Sequence, residues 1–368
     1  MKGEVVYLYA FDVAYEIDLD KASKSLASAE FRDLTPSKTL PRDYPFYKPL
    51  ALTKDPVQVE TALGTLTVRR EAKVFSIGGV SVMLRVDFDV PGFSELQRYH
   101  NPDLEDGGRL DDAAGALAEE ILQAVRPFAV RPTDGRGNPE AFTVFCLTDP
   151  APSATGKTAE MWLEEWRDEV AGLLTEEKDF DRLSDTEVRE TTRCSFSYTN
   201  DDLLVIDWDA ALVLEPSGNT GDVLYILESA NLQLTELQIY DSFLDKTLDQ
   251  AYDDLERYSG RLPLFGGPAA ILPRLKTALV DLTKFSEELT NITKFFGDYH
   301  LARVYMGCRE RFHLTEWEGM LERKLDRLDG LYKRLSDDQN NQRMIVLEVM
   351  IVLLFVVDIA SIFLSARK

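Results

Sequence analysis

The stretch "EVVYLYAFDVAYEI", residues 4–17, decides how the fold begins. Val, Tyr, Phe and Ile dominate it, and residues of these types favour β-strands. Neither a basic segment nor a long apolar run precedes it, and it is too acidic for a mitochondrial transit peptide, so we expect no export or import signal. The sequence therefore predicts a chain that begins in a sheet and keeps its N-terminal part on the cytoplasmic side.

Five further runs of the same composition predict more strands, and two amphipathic runs predict helices between them. The strand-like runs are residues 64–70, 72–88, 141–147, 193–199 and 202–215. Within the second of these, "IGGV" at residues 77–80 offers a tight hairpin turn. Residues 109–128 and 158–174 carry apolar side chains at the three- and four-residue spacing of helices. This mixture predicts an α+β half with a mixed or antiparallel sheet.

Beyond residue 221 the sequence becomes helical, and leucines recur along one helix face. Leu314, Leu321, Leu328 and Leu335 follow one another at intervals of seven residues, which is the spacing of a coiled-coil seam. These four leucines are the candidate seam between copies of the chain. A helical bundle within one chain would use the same leucines, and the sequence leaves both arrangements open.

Two breaks rich in Pro and Gly, residues 131–139 and 215–221, suggest where the chain divides. The predicted regions are an α/β subdomain over residues 1–134, a second α/β subdomain over 135–216, long helices or a coiled coil over 217–340, and a transmembrane helix with a short tail over 341–366.

The last of these regions is predicted from "MIVLEVMIVLLFVVDIASIFL", residues 344–364. A hydrocarbon core of roughly 30 Å needs about 20 helical residues, and this stretch is long enough and contains no Pro or Gly. The sequence therefore predicts one C-terminal span, which would make the C-terminal half an all-α region ending in the membrane.

Two carboxylates, Glu348 and Asp358, interrupt this apolar stretch. Glu348, Phe355 and Ile362 lie seven residues apart, and Asp358 follows Ile351 by seven, so both acids can face one helix–helix seam. One interpretation is that they are functional groups between subunits or along a polar path. The other is that they are two acids tolerated near the ends of a plain anchor.

The loop "APSATGKT", residues 151–158, resembles a phosphate-binding loop. In that role Lys157 would reach the phosphates, Thr158 would bind Mg²⁺, and amides around Gly156 would hold the anion. However, Ala151 replaces the first glycine of the pattern, and Pro152 removes one N–H donor. The alternative is a Ser/Thr-rich loop that caps a helix.

Composition limits the remaining functions. The net charge of −23 disfavours binding to the phosphates of nucleic acids. The three cysteines are scattered, and the three histidines share no ligand spacing with them, so we predict no metal, no cofactor and no catalytic residues.

The C-terminal third resembles the "required for meiotic nuclear division" family. That family combines a leucine- and tyrosine-bearing helix, a polar hinge, and a terminal membrane helix that opens with Leu-Glu and carries a second acid. The residues that carry the resemblance are Leu325, Leu328, Tyr332, Leu335, Leu347, Glu348 and Asp358. The resemblance implies a membrane-anchored, oligomer-forming protein without known enzymatic activity.

We therefore predict a non-enzymatic, membrane-anchored homo-oligomeric scaffold or adaptor with a large acidic cytoplasmic head and a protein partner that the sequence does not identify. The predicted location is a bacterial inner membrane, with the mitochondrial inner membrane as the alternative. One alternative function is an ion channel or transporter built from the acid-bearing span. Another is a nucleotide-binding protein that uses Gly156, Lys157 and Thr158.

Overall fold

A computed structural model gives the architecture. It describes residues 1–28, 32–33, 49–76, 78–102, 104, 108–132, 139–258 and 299–365. The strands are β1 (Lys2–Asp12), β2 (Ala14–Ile17), β3 (Arg32–Asp33), β4 (Leu50–Thr61), β5 (Gly64–Val74), β6 (Gly79–Asp89), β7 (Ala129–Pro132), β8 (Glu140–Asp149), β9 (Ser195–Phe196), β10 (Leu203–Ile206) and β11 (Ala210–Leu214).

The α-helices of the same residues, numbered in chain order, are α1 (Leu19–Ser28), α2 (Phe93–Leu96), α3 (Leu110–Val125), α4 (Ala159–Glu165), α5 (Arg167–Leu174), α6 (Asp185–Thr191), α7 (Gly221–Tyr258), α8 (Tyr299–Arg311) and α9 (Leu314–Ser365). Short 3₁₀ turns occur at Gln97–Tyr99, Arg126–Phe128, Pro152–Thr155 and Phe180–Arg182.

Strand β1 lies in the middle of a nine-stranded sheet with the order β3-β4-β5-β6-β1-β8-β11-β10-β9. It pairs antiparallel with β6 on one side and with β8 on the other. Side chains of this strand are buried on both faces of the sheet. Val5, Tyr7 and Tyr9 lie on one face, and Val6, Leu8 and Ala10 lie on the other. A strand that is apolar on both faces belongs between two layers, which explains why β1 is a nearly continuous apolar run.

Helices cover both faces of this sheet. Helices α3 and α5 contact one face through β1, β6 and β11, and α1 packs on α3. On the other face, Leu232 of α7 clusters with Ala10 and Phe75, and α8 contacts β10. Next to α8, the ring of Phe312 packs edge-on against Phe142 of β8 with the ring centroids 5.1 Å apart. The result is a three-layer α/β/α arrangement.

One strand pair departs from the antiparallel pattern. Strand β11 pairs with β8 in parallel, so the chain crosses over between them through residues 150–209, which include α4, α5 and α6. A parallel pair needs such a crossover because a hairpin reverses the direction of the chain. The sheet also draws strands from both of the predicted α/β subdomains, residues 1–134 and 135–216.

The described residues form two units. Unit 1 comprises Met1–Leu237 and Thr293–Thr315, and it contains the sheet and its helical layers. Unit 2 comprises Gln238–Ile292 and Glu316–Lys368. Within unit 2, Lys324 of α9 lies 2.6 Å from Asp241 and 2.7 Å from Asp245, both on α7.

The mixed sheet with helices predicted for the N-terminal half is confirmed. The fold class is wrong in its last element, the transmembrane helix of residues 341–366. Among the described residues, no helix reaches the combination of length and apolar character that a bilayer crossing requires. Residues 259–298 of the region predicted to form long helices lie outside the described residues, and so does the first residue of the "IGGV" turn.

Gly78 holds the turn between β5 and β6 and joins it to the end of β1. Its carbonyl accepts the N–H groups of Val13 at 3.0 Å and Ala14 at 3.3 Å. Its φ is +93°, and a Cβ atom added there would lie 1.6 Å from the carbonyl oxygen of Ala14. A side chain therefore meets both an unfavourable backbone conformation and a direct clash.

We expect Gly78→Ala to lower the free energy of unfolding by about 3 kcal/mol or more, because backbone strain and the clash add. Gly64→Ala is the matched control, since Gly64 has a φ of +103° but no atom within 4 Å of the added Cβ. This control should cost only about 1 kcal/mol, for the strain alone. Urea unfolding of both variants measures the difference, and equal losses would contradict the close approach to Ala14.

Candidate functional site

The most exposed apolar part of the described structure is the segment Met344–Ile359 of α9, called here the apolar segment. Its large hydrophobic side chains other than Val346 are half exposed or more, up to 65% for Leu354 and Phe355. Single exposed apolar residues are common on proteins, but a contiguous apolar surface of this kind marks a site of interaction. The apolar segment is therefore the first candidate site.

Glu348 and Asp358 both lie in the apolar segment, and both are exposed. They are ten residues apart, which is about 15 Å along the helix axis. In the described part of the chain, neither acid takes part in an ion pair. The structure thus presents two carboxylates within an otherwise uncharged helical surface.

The four heptad leucines differ in their surroundings. Leu314 in unit 1 is buried, and so are Leu321 and Leu328 in unit 2. The α7 residues Leu244 and Leu248 of unit 2 are buried as well. One chain therefore already covers three of the leucines, while the side chain of Leu335 lies outside the described residues. A seam between copies at these positions stays a prediction.

The loop of residues 151–158, which resembles a phosphate-binding loop in sequence, is held by contacts between residues close in the chain. Gly156 has a φ of +71°, and its N–H donates to the Ser153 carbonyl at 3.0 Å. The N–H of Lys157 donates to the Pro152 carbonyl at 3.1 Å, and its ammonium pairs with Glu165. Thr158 accepts the N–H of Met161 at 3.3 Å and caps α4. Gly156, Lys157 and Thr158, the residues that nucleotide binding would use, thus all make contacts within the protein. Nucleotide binding stays a prediction.

A cluster that the sequence did not indicate lies in unit 1, where three loops bring His100, Glu176 and Asp209 together. His100 is 8% exposed, and its Nδ1 lies 2.7 Å from Oε1 of Glu176. Its ring packs edge-on against Phe145 with a centroid separation of 5.3 Å. Among the described residues, no group hydrogen-bonds to its buried Nε2. The three residues are too far apart in sequence for any spacing to reveal them.

The pKa values of the two acids are shifted in opposite directions. The hydrogen bond from His100 is the largest effect on Glu176 and lowers the pKa of its carboxyl group. Burial raises the pKa of Asp209, the nearby charge of Glu176 raises it further, and His100 opposes both. The carboxylate of Glu176 therefore fixes the orientation of the His100 ring through Nδ1.

Glu176 occupies a strained position to make this contact. The N–H of Glu177 donates to the Gly172 carbonyl at 3.0 Å, which closes the C-terminus of α5 in a Schellman motif. Glu176 takes the left-handed position of this motif with a φ of +57°, where glycine is usual. The contact with His100 gives a physical reason for a glutamate at this position.

A second polar cluster joins α6, β10 and α8. The guanidinium of Arg311 pairs with Asp207 and, at 3.1 Å, with Glu190. Nearby, Cys194 and Cys308 are free thiols, and burial raises the pKa of Cys194 to about 11. Such a thiol is largely protonated at neutral pH and is a poor nucleophile. These contacts anchor α8 and support a structural role.

The described residues contain no group of three or more His, Cys, Asp or Glu side chains that could hold a metal ion. The histidines other than His100 contact aromatic rings, with His300 5.1 Å from Tyr198 and His313 5.3 Å from Trp208 between ring centroids.

These observations define the class of protein as a three-layer α/β/α domain followed by long helices. A family model described as "Uncharacterized protein MJ0711, N-terminal domain" matches residues 2–220, and this chain belongs to that family. The match ends where α7 begins, so it covers all eleven described strands and helices α1 to α6.

"Uncharacterized protein MJ0711" of Methanocaldococcus jannaschii is 20% identical to this chain over 224 residues. The match covers 60% of this chain and 65% of the relative, so the chain spans slightly less than two thirds of the relative's length. Neither the family description nor the relative's name states an enzymatic activity. No solved structure matches.

These findings correct three predictions. The resemblance to the "required for meiotic nuclear division" family is wrong, since the family match is to MJ0711 and rests on residues 2–220. Leucines and apolar runs recur in many long helices, so they identified no family. Membrane attachment through the C-terminal helix is wrong because the described residues contain no spanning helix. The inner-membrane location, bacterial or mitochondrial, is wrong for the same reason, and the relative is archaeal.

We expect the stabilising effect of the Glu176 charge to depend on pH. Because His100 lowers its pKa in the folded protein, the charged carboxylate stabilises the fold fully above its unfolded pKa of about 4.3. This contribution is lost as the pH falls through the lower folded value. The side chain of Glu176 is 59% exposed, so solvent screening limits the effect to on the order of 1 kcal/mol.

Urea unfolding of wild type and Glu176→Gln at neutral and acidic pH measures this contribution. The difference between the two proteins should be present at neutral pH and absent in acid. In a His100→Phe background the same substitution should have no pH-dependent effect. A difference that survived in that background would mean that another group interacts with Glu176.

Proposed function

We propose that this protein is a non-enzymatic scaffold whose copies assemble through the apolar segment of α9. The observation that carries the proposal is the exposure of this segment in the single chain. Apolar surface leaves water with a gain of roughly 25 cal/mol for each Å² buried, so a helix with this composition is stable in water only when it is covered. A helix that is apolar all round normally lies in a protein core.

A second copy of the chain is the occupant that fits this surface. The exposed residues are distributed around the helix, since Leu353, Leu354, Phe355, Val356 and Val357 follow one another without a break. Pairing with one helix covers only one side, whereas several copies around a common axis cover each helix on at least two sides. The seven-residue relations within the segment allow identical helices to pack in register.

The charge distribution supports the same arrangement. The chain carries a net charge of −23, but the apolar segment contains only two acids. The bodies of several copies repel one another, so a contact surface on the sheet domain would work against its own charge. An uncharged helical segment gives the copies a place to meet where this repulsion is weakest. Such an assembly would display several acidic α/β/α domains to a common partner.

We expect the purified full-length protein to form particles whose mass is a multiple of 41.6 kDa, with three or more chains. Met350→Lys should raise the concentration for half-assembly by about tenfold or more, because a lysine enters the apolar contact at a cost of at least about 1.4 kcal/mol. Sedimentation velocity over a concentration series measures both quantities.

Met161→Lys is the matched control, because Met161 on α4 is 55% exposed and Met350 is 52% exposed. The two substitutions change the same side chain at nearly the same exposure in the single chain. The control should assemble like the wild type. A monomer at all concentrations, or a monomer that floats with lipid vesicles, would contradict the proposal.

A further inference from the structure

We propose that Glu348 and Asp358 make assembly through the apolar segment sensitive to pH, with assembly favoured in acid. This inference rests on the proposed function, since it assigns a regulation to the same surface. Its starting point is the exposure of both carboxylates within the segment that the copies are proposed to cover.

The surroundings of each acid in the single chain contain no compensating charge. Within four residues on either side of Glu348, and likewise of Asp358, α9 carries no other charged side chain. The described residues offer neither acid an ion-pair partner. The single chain therefore leaves both carboxylates to water, which is where an ionised carboxylate is most stable.

Assembly through the helix–helix seam that both acids can face changes this environment in the same direction for parallel and antiparallel helices. In a parallel, in-register bundle each Glu348 meets other copies of Glu348, and each Asp358 meets other copies of Asp358. In an antiparallel pair, Glu348 of one helix lies near Asp358 of the other, because the two acids flank the middle of the segment. Both arrangements bring like charges together in an apolar setting.

Burial and like charges both raise the pKa of a carboxyl group. Both carboxyl groups would then keep their protons to a higher pH in the assembly than in the free chain. The assembly therefore takes up protons as it forms. By linkage, the concentration for half-assembly falls as the pH drops through the raised pKa, and at higher pH the charged acids oppose assembly.

The test compares four full-length proteins by sedimentation velocity at about pH 7.5 and about pH 5. For the wild type, we expect the concentration for half-assembly to fall by about tenfold or more in acid, which corresponds to at least about 1.4 kcal/mol. The variant E348Q/D358N should assemble at the higher pH about as tightly as the wild type does in acid, with little further change.

The variant E322Q/D337N is the matched control. Glu322 and Asp337 are exposed acids on α9 outside the apolar segment, and their neutralisation changes the net charge by the same amount. It should keep the wild-type response to pH, and E348Q alone should give an intermediate one.

Two outcomes overturn the inference and leave the proposed function standing. One is assembly of the wild type that does not depend on pH. The other is an equal pH response in E348Q/D358N and E322Q/D337N, which would assign the effect to overall charge. Absence of assembly by all four proteins at both pH values would instead contradict the proposed function itself, and the inference with it.

Discussion

The fold depends on the burial of β1 on both faces. Residues 5–10 have no polar side to turn toward water, so each face must be covered by a separate layer. One layer comes from the middle of the sequence, as α3 and α5, and the other from α7 and α8. The pairing of β1 with β6 and β8 then fixes the order of the remaining strands. A strand exposed on one face would have required only one helical layer.

Much of the sheet could be predicted from local composition, because runs of Val, Ile, Phe and Tyr bounded by turn residues became strands. Strand β4 was missed, and its sequence explains why. Pro56 interrupts it, and the pairing with β5 shifts register between Lys54 and Val57, so the proline lies in an irregularity where its missing N–H breaks no regular ladder. The parallel pairing of β8 with β11 could not be predicted from local composition either, because the relative direction of two strands depends on how the chain crosses over between them.

The C-terminal helix was predicted as a helix, but its surroundings could not be predicted from composition. Length and hydropathy of residues 344–364 favoured a membrane span, because apolar composition alone cannot distinguish lipid from protein as the covering medium. The leucine repeat likewise could not tell a bundle within one chain from a seam between chains, and Leu321 and Leu328 are buried within unit 2. The cluster of His100, Glu176 and Asp209 gave no signal, because loops distant in sequence bring it together. Only the left-handed conformation of Glu176 draws attention to it.

The central position of β1 has a consequence for folding during synthesis. As the chain is made, β1 cannot complete its hydrogen bonding until β8 has followed, some 130 residues later. Its second face waits longer, for α7 and then for α8 at residues 299–311. Contacts this distant in sequence slow folding, and an uncovered apolar strand is prone to aggregate in the meantime. During synthesis β1 thus stays uncovered until α7 and α8 have followed, which makes it a natural ligand for chaperones that bind extended apolar peptides.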